Sequence, residues 1–141
     1  MTRKRIVVTG EPYGKGRPRF GNGHAYTPKK TADYEARLKA EWLRQTKGFQ
    51  FPQGTALALE VKAYQQPPKS ASKKLQAAMS ANRVRPKKKP DFDNIAKIIG
   101  DALNKTAYHD DAQIVFASIA KFWGVPARIE IIITEVEEEN P

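Results

Sequence analysis

The chain has 141 residues, of which 40% are hydrophobic, with a net charge of +10 and no cysteine. This length fits one domain, residues 1–141, with its own apolar core, and the lack of cysteine excludes disulfides and cysteine-ligated zinc. The N-terminal apolar run is too short for a signal peptide, and no stretch reaches the ~20 apolar residues of a membrane span. We therefore expect a cytoplasmic protein with no membrane partner.

The first half of the chain predicts a strand, a helix and a second strand. Residues 5–9 are rich in β-branched side chains and end at turn residues, which is typical of a short strand. From Thr31 to about Thr46 apolar residues recur at helical spacing, and Thr31 is the candidate N-cap. Residues 55–64 alternate apolar and partly polar side chains, which indicates a strand with one solvated face.

The middle of the chain is basic and then changes character. Residues 72–83 predict a short basic helix, and the prolines and like charges that follow it forbid a regular helix. We predict that residues 65–90 form a basic flexible segment. From Asp93 to about Thr106 an isoleucine-rich stripe at helical spacing predicts an amphipathic helix.

The last part of the chain predicts two strands and a tail. Residues 114–123 and 128–136 are β-branched or aromatic, and a Gly-Val-Pro turn between them indicates a hairpin. Residues 137–141 form an acidic tail. The complete order of elements predicts a single α/β (α+β) domain in which helices cover a mixed β-sheet.

The positive charge is concentrated before residue 91. Residues 1–90 hold 21 of the 25 lysines and arginines but 5 of the 15 acids, whereas residues 91–141 have a net charge of −6. This asymmetry indicates a polyanionic partner, with nucleic acid first and an anionic membrane second. A basic surface that only maintains solubility is the simpler alternative. The candidate DNA contacts are Lys15, Arg17, Arg19, Lys73, Lys74, Arg83, Arg85, Lys87, Lys88 and Lys89.

Carboxylates gather where the charge changes sign. On a helix that starts at Asp93, the side chains of Asp93, Lys97 and Asp101 share one polar face, with Asn94 near its edge. Asp91 precedes the helix in an extended segment, so it points to the same side as Asp93. Two neighbouring carboxylates repel each other unless a cation or a proton lies between them. This arrangement favours a divalent cation.

A second acidic pair comes directly before a predicted strand. The chain could return Asp110 and Asp111 to the start of the predicted helix. Oxygen ligands without cysteine or clustered histidine suit Mg²⁺ or Mn²⁺, and such an ion can activate water and polarise a phosphate. Lys97 could then neutralise developing negative charge, so the residues favour a metal-dependent phosphodiesterase.

Each of these features also has a structural interpretation. Asp93 and Asn94 could be helix caps, and Asp93, Lys97 and Asp101 could form surface ion pairs. An Asp-Asp pair before a strand is often only a turn. Phe92 would face away from its two neighbours in an extended chain, which predicts a core anchor rather than a wedge between DNA bases.

The motifs resemble those of the RusA family of Holliday junction resolvases. The segments D-F-D-N-I-A-K-I-I-G-D-A-L (residues 91–103) and H-D-D-A-Q-I (residues 109–114) match the family's spaced acids and lysine. The segments G-K-G-R-P-R-F (residues 14–20) and Y-T-P-K-K-T-A-D-Y-E (residues 26–35) are similar to phage and prophage members. The resemblance covers most of the chain.

The resemblance implies a homodimeric, Mg²⁺-dependent endonuclease that cuts two symmetric strands of a four-way DNA junction in recombination and repair. Mn²⁺ would substitute for Mg²⁺, and no small-molecule cofactor is implied. The family's metal-binding carboxylates fall on Asp91, Asp93 and Asp111, and its catalytic lysine on Lys97. Three further residues would support these groups, either by contacting them without binding the metal or at the helix ends: Asp101, Asp110 and Asn94.

Two other functions remain open from the sequence. In the first, the protein binds DNA or RNA without catalysis and its acids are structural. In the second, it is a nuclease that acts on other branched DNA or on linear DNA. Cleavage assays on junction and linear substrates distinguish all three.

Overall fold

The computed structural model describes residues 1–139. Within this range the strands and α-helices follow the predicted order, except that two short strands, Arg19–Gly21 and His24–Tyr26, come before the first helix. A 3-10 turn also lies at Asp111–Gln113. The strands and α-helices are β1 (Arg3–Thr9), β2 (Arg19–Gly21), β3 (His24–Tyr26), α1 (Lys29–Thr46), β4 (Leu57–Gln65), α2 (Lys73–Ser80), α3 (Phe92–Leu103), β5 (Ile114–Trp123) and β6 (Arg128–Glu135). None of the helices described is long and apolar enough to cross a membrane.

The main sheet has four strands in the order β1-β6-β4-β5. β4 pairs in parallel with β5 and antiparallel with β6, which pairs antiparallel with β1. The predicted hairpin of the last two strands is therefore wrong, because β4 lies between them. Their connection passes over the end of β4, where the Gly124 amide donates to the Gln65 carbonyl at 3.0 Å. A Cβ on Gly124 would lie 2.6 Å from the Tyr64 ring, so this passage requires glycine.

A second, two-stranded sheet is formed by β2 and β3, which the sequence analysis does not predict. Their turn consists of Asn22 and Gly23, with φ values of 52° and 80°. An Asn-Gly pair adopts this left-handed conformation in tight hairpin turns. The Asn-Gly dipeptide is therefore the sequence signal from which this hairpin could have been predicted.

The core lies between the main sheet and the helices α1 and α3. Alternate residues of the strands face the helices, while α3 contributes its isoleucine stripe. Burial of such side chains is the main favourable contribution to the stability of a domain. Fully buried side chains include Ile6, Leu38, Trp42, Leu57, Ile95, Ile98, Ile99, Leu103, Ile129 and Ile131.

The first turn of α1 differs from the prediction. The helix begins at Lys29, so Thr31 is not the N-cap but a buried residue of the first turn. Its Oγ1 accepts a hydrogen bond from the Gly16 amide at 3.2 Å. Thr31 therefore fastens residues 14–16, which we call the 14–16 loop, to α1.

The predicted fold class is confirmed as a single mixed α+β domain. The segment predicted to be basic and flexible contains α2, whose N-cap Ser72 accepts from the Leu75 amide at 3.1 Å. The flexibility of residues 65–90 stays a prediction. The last two residues of the predicted acidic tail lie outside the described part of the chain.

Candidate active site

Two of the predicted catalytic carboxylates lie at the N-terminus of α3. Asp91 is the N-cap residue in an extended conformation, and its carbonyl accepts from the Ile95 amide at 3.1 Å. The Asp91 side chain makes no capping hydrogen bond. Asp93 follows in the first turn of the helix and is exposed. Both carboxylates are therefore available to a partner outside the helix.

A groove lies beside these carboxylates, and we call it the α3 groove. Its lining combines lysines with aspartates: Lys87, Lys88, Lys89, Asp91, Phe92, Asp93 and Lys121. Lys89 Nζ lies 2.8 Å from Asp91 Oδ2, and both side chains are largely exposed. Such an exposed ion pair contributes little to stability. The pair places the positive charge of Lys89 beside the Asp91 carboxylate.

Phe92 is not the core anchor that the sequence predicts. Its side chain is 67% exposed and lines the α3 groove. The prediction assumed an extended chain from 91 to 93, in which alternate side chains face opposite ways. Because α3 already begins at Phe92, this alternation does not apply.

The predicted polar face of α3 continues through Lys97 and Asp101, both of which are exposed. The ion pair of Asp101 in the structure is with Lys15 rather than with Lys97: Lys15 Nζ lies 3.1 Å from Asp101 Oδ2 and 3.0 Å from Glu35 Oε1. Burial lowers the pKa of Lys15, but the two carboxylates outweigh it and raise the pKa above its ordinary value. Lys15 therefore joins α1 to α3.

The 14–16 loop lies against the start of α3. The Lys15 amide donates to the Asn94 carbonyl at 3.0 Å. A Cβ on Gly14 would lie 2.8 Å from Cβ of Pro90 and 3.0 Å from Cβ of Asn94, so the approach requires glycine. The contact fixes this loop beside the candidate carboxylates.

Asp110 and Asp111 lie at the other end of α3. Asp110 caps the 3-10 turn and accepts from the Ala112 amide at 2.9 Å. Asp111 Oδ2 lies 3.9 Å from the position of a Cβ on Gly100. Gly100 is roughly 10 Å along the helix axis from Asp93, at ~1.5 Å per residue. The expectation that the chain returns this pair to the start of the helix is therefore wrong.

The electrostatics around Asp111 favour a positive partner. Burial, a hydrogen bond with Asp110 and the negative charge of Asp101 together raise the pKa of Asp111. The hydrogen bond from the Ala112 amide lowers the pKa of Asp110. Over residues 1–139, no three acidic or histidine side chains lie close enough together to hold one ion. A single chain therefore does not bring all three predicted ligands into one cluster.

Arginine and lysine side chains before α3 are held by the edge of the sheet. The Arg85 guanidinium lies 4.2 Å from the centre of the Phe122 ring and donates to the Lys121 carbonyl at 3.0 Å. Phe122 stacks on Tyr64 at 5.0 Å, and Lys121 Nζ donates to the Lys88 carbonyl. These contacts place the lysines of residues 87–89 along the α3 groove, which the sequence analysis did not foresee.

The remaining predicted DNA contacts lie on exposed surface outside the groove. These exposed residues are Arg17, Arg19, Lys73, Lys74 and Arg83. Their exposure leaves these charges available to a polyanion. Lys15 differs from them, because its side chain is only 17% exposed.

Comparisons with known proteins identify the family. The chain is 35% identical over 140 residues to "Uncharacterized protein YqaN" of Bacillus subtilis (strain 168), an alignment that covers 94% of this chain and 96% of that protein. The family model described as "Endodeoxyribonuclease RusA" matches residues 9–134. That match runs from the last residue of β1 to the penultimate residue of β6 and includes both acidic segments. The chain therefore belongs to the RusA endodeoxyribonuclease family.

Proposed function

We propose that this RusA-family nuclease is a Mg²⁺-dependent, structure-selective endodeoxyribonuclease. Its substrate would be the four-way DNA junction, resolved by paired symmetric phosphodiester hydrolysis in recombination and repair, in a phage or prophage setting. The observation that carries the proposal is the α3 groove, where Asp91 and Asp93 meet lysines of the preceding segment. Lysines attract a phosphate backbone, whereas carboxylates repel it unless they bind a cation.

The donor chemistry fits a divalent metal ion. Asp91 and Asp93 are accessible oxygen ligands of the kind that Mg²⁺ and Mn²⁺ prefer, and Lys89 already places a positive charge at Asp91. The raised pKa of Asp111 also favours a positive partner. Asp91 and Asp93 would hold the ion, which would supply a polarised phosphate and an activated water. Asp111, which lies near Gly100, would complete the ligand set only after its segment moves toward Asp93. No small-molecule cofactor is part of the proposal.

The remaining candidate residues would either support the catalytic site or bind DNA. Lys97, exposed on the polar face of α3, would neutralise charge that develops on the phosphate. Asn94, Asp101 and Asp110 would support the site through their contacts with the 14–16 loop, Lys15 and the 3-10 turn. The predicted basic residues other than Lys15, which is paired with two carboxylates, would bind phosphates without base specificity. A homodimer would present two sites to a two-fold symmetric junction.

Cleavage assays test this function directly. Purified protein is incubated with a labelled four-way junction or with a linear duplex of the same arm sequence, each with and without Mg²⁺. We expect paired nicks in the junction that depend on Mg²⁺. Binding without any cleavage would support a non-catalytic nucleic-acid-binding protein, and equal cleavage of the duplex would support a nuclease of another specificity.

A charge variant tests the assignment of the carboxylates. Asp93→Asn should abolish cleavage but leave junction binding intact or tighter, because it removes a negative charge that repels phosphate. Asp33→Asn is the matched control, since Asp33 is an exposed aspartate on α1 that pairs with Lys29 at 3.0 Å. Retained cleavage by Asp93→Asn would contradict the assignment.

A further inference from the structure

The outer edge of β5 is open over its first part. β5 is the last strand of the main sheet and pairs only with β4 among the strands described. Four consecutive residues, Val115–Ser118, are exposed, with Val115 at 62% and Phe116 at 63%. We call residues 115–120 the β5 edge. Its backbone groups on the outer side form a template for another strand.

The two edge strands of the main sheet differ in charge. At the opposite edge, β1 carries Arg3, Lys4 and Arg5, and positive side chains of this kind hinder edge-to-edge pairing. The β5 edge has no charged residue between Ile114 and Ala120. In a chain with a net charge of +10, a second copy therefore meets less repulsion at this uncharged stretch than at the β1 edge.

The far end of β5 is already covered. Arg85 donates to the Lys121 carbonyl at 3.0 Å, and Lys121 Nζ donates to the Lys88 carbonyl. The basic segment therefore covers the strand from Lys121 onward. An incoming strand has access only to residues 115–120.

We propose that the β5 edge pairs with the β5 edge of a second copy of this chain in antiparallel orientation. Antiparallel pairing of a strand with its own copy is two-fold symmetric, so the interface is closed and self-complementary. The charged β1 edge then ends the joined sheet on both sides and prevents further addition. Nucleic acid is a poor occupant because the β5 edge offers it no positive charge.

This pairing would give the proposed two-site junction nuclease its dimer interface. The use of the dimer in junction cleavage rests on the proposed function, whereas the interface itself does not. With Ala117 near the two-fold axis, Val115 of one copy would lie opposite Ile119 of the other. Both side chains are apolar, and cross-strand pairs of this kind stabilise a sheet. The exposed Phe116 would be covered by the same contact.

Sedimentation equilibrium of the full chain, without DNA and without metal, measures the association. We expect a dimer for the wild type and a monomer for the double variant Val115→Lys/Phe116→Lys. Both replaced side chains are exposed, so circular dichroism should show a folded protein. The matched control is Val125→Lys, which changes a 70% exposed valine in the turn after β5 and should remain dimeric. A monomeric wild type, or a dimeric double variant, would overturn the proposal.

A crosslink provides a second test that does not depend on charge. Because the chain has no cysteine, Ala117→Cys introduces a single thiol near the proposed axis. Mild oxidation should give a covalent dimer for Ala117→Cys and not for Val125→Cys. Equal crosslinking of both variants, or none at 117, would refute the pairing.

The two proposals fail separately. If wild-type protein resolves junctions while the double variant stays dimeric, the β5 interface is wrong and the function stands. If the dimer depends on the β5 edge but no junction is cleaved, the function is wrong and the interface stands.

Discussion

Lys15 was predicted from the sequence as a DNA contact, and the structure suggests a sharper test of its role. We consider Lys15→Met, which removes the charge and keeps most of the aliphatic stem. The variant leaves Glu35 and Asp101 without the ammonium group that lies 3.0 and 3.1 Å from them. Lys39→Met is the matched control, because Lys39 is an exposed lysine on α1.

The expected loss of stability follows from the exposure of each partner. Charge-assisted hydrogen bonds contribute about 1.5–3 kcal/mol when solvent is largely excluded. Glu35 is 19% exposed, so its bond should contribute near the lower value. Asp101 is 39% exposed and is screened by solvent, so its contribution is about 0.5–1 kcal/mol. Lys15→Met should therefore lower the free energy of unfolding by about 2–3 kcal/mol, against less than about 0.5 kcal/mol for Lys39→Met.

Urea unfolding combined with a double-mutant cycle provides the measurement. Lys15→Met, Glu35→Gln and the double variant should show a coupling of about 1 kcal/mol or more. The salt dependence of junction binding should stay that of the wild type, because the ammonium group is turned toward carboxylates. A coupling below about 0.3 kcal/mol, together with a log–log salt slope that falls by about 0.9, would refute this reasoning and identify Lys15 as a phosphate contact.

Three further predictions concern the groove, the sheet and the core. Replacing the lysines at 87–89 by glutamine should reduce the salt slope of junction binding by up to about 0.9 per lost phosphate contact, and an unchanged slope would show that they do not touch DNA. Burial raises the pKa of Glu130, but hydrogen bonds from two arginines outweigh it and hold the pKa below its ordinary value. The ionised Glu130 therefore stabilises the fold fully above the unfolded-state pKa, about 4.3, and this stabilisation is lost as pH falls through the lower folded-state pKa. The difference in the free energy of urea unfolding between wild type and Glu130→Gln should shrink from pH 6 toward pH 3. A constant difference would contradict this prediction. Leu103→Ala should lower the free energy of unfolding by about 2–5 kcal/mol and Phe92→Ala by about 0.5 kcal/mol or less, with equal losses counting against the observed burial.

The sequence predicted the local elements better than their arrangement. The isoleucine stripe of α3 and the alternation in β4 are periodic signals that depend only on near neighbours. The order of β5 and β6 was predicted wrongly, because β4 inserts between them through pairing across long sequence distances. The position of Asp111 near Gly100 is set by the same tertiary path. Neither could be deduced from a turn motif.

In the candidate site, too, the local features were predicted and the long-range contacts were not. The paired carboxylates were found because Asp91 and Asp93 are only two residues apart in sequence. The exposed position of Phe92 was missed because it depends on the residue at which α3 begins. The orientation of the basic segment was missed because it depends on Arg85 meeting the Phe122 ring, a contact between residues far apart in the chain.

The change of charge at Pro90 acquires a physical explanation from these contacts. An arm of lysines free in solution would meet phosphates anywhere on its path, at distances unrelated to Asp91. The contacts of Arg85 and Lys121 instead hold residues 87–89 beside the α3 groove, so that the positive and negative groups keep a defined spacing. A phosphate bound by these lysines would then lie within reach of the carboxylates. On the proposed function, the aromatic edge of the sheet would couple DNA binding to cleavage, and loosening it should impair both.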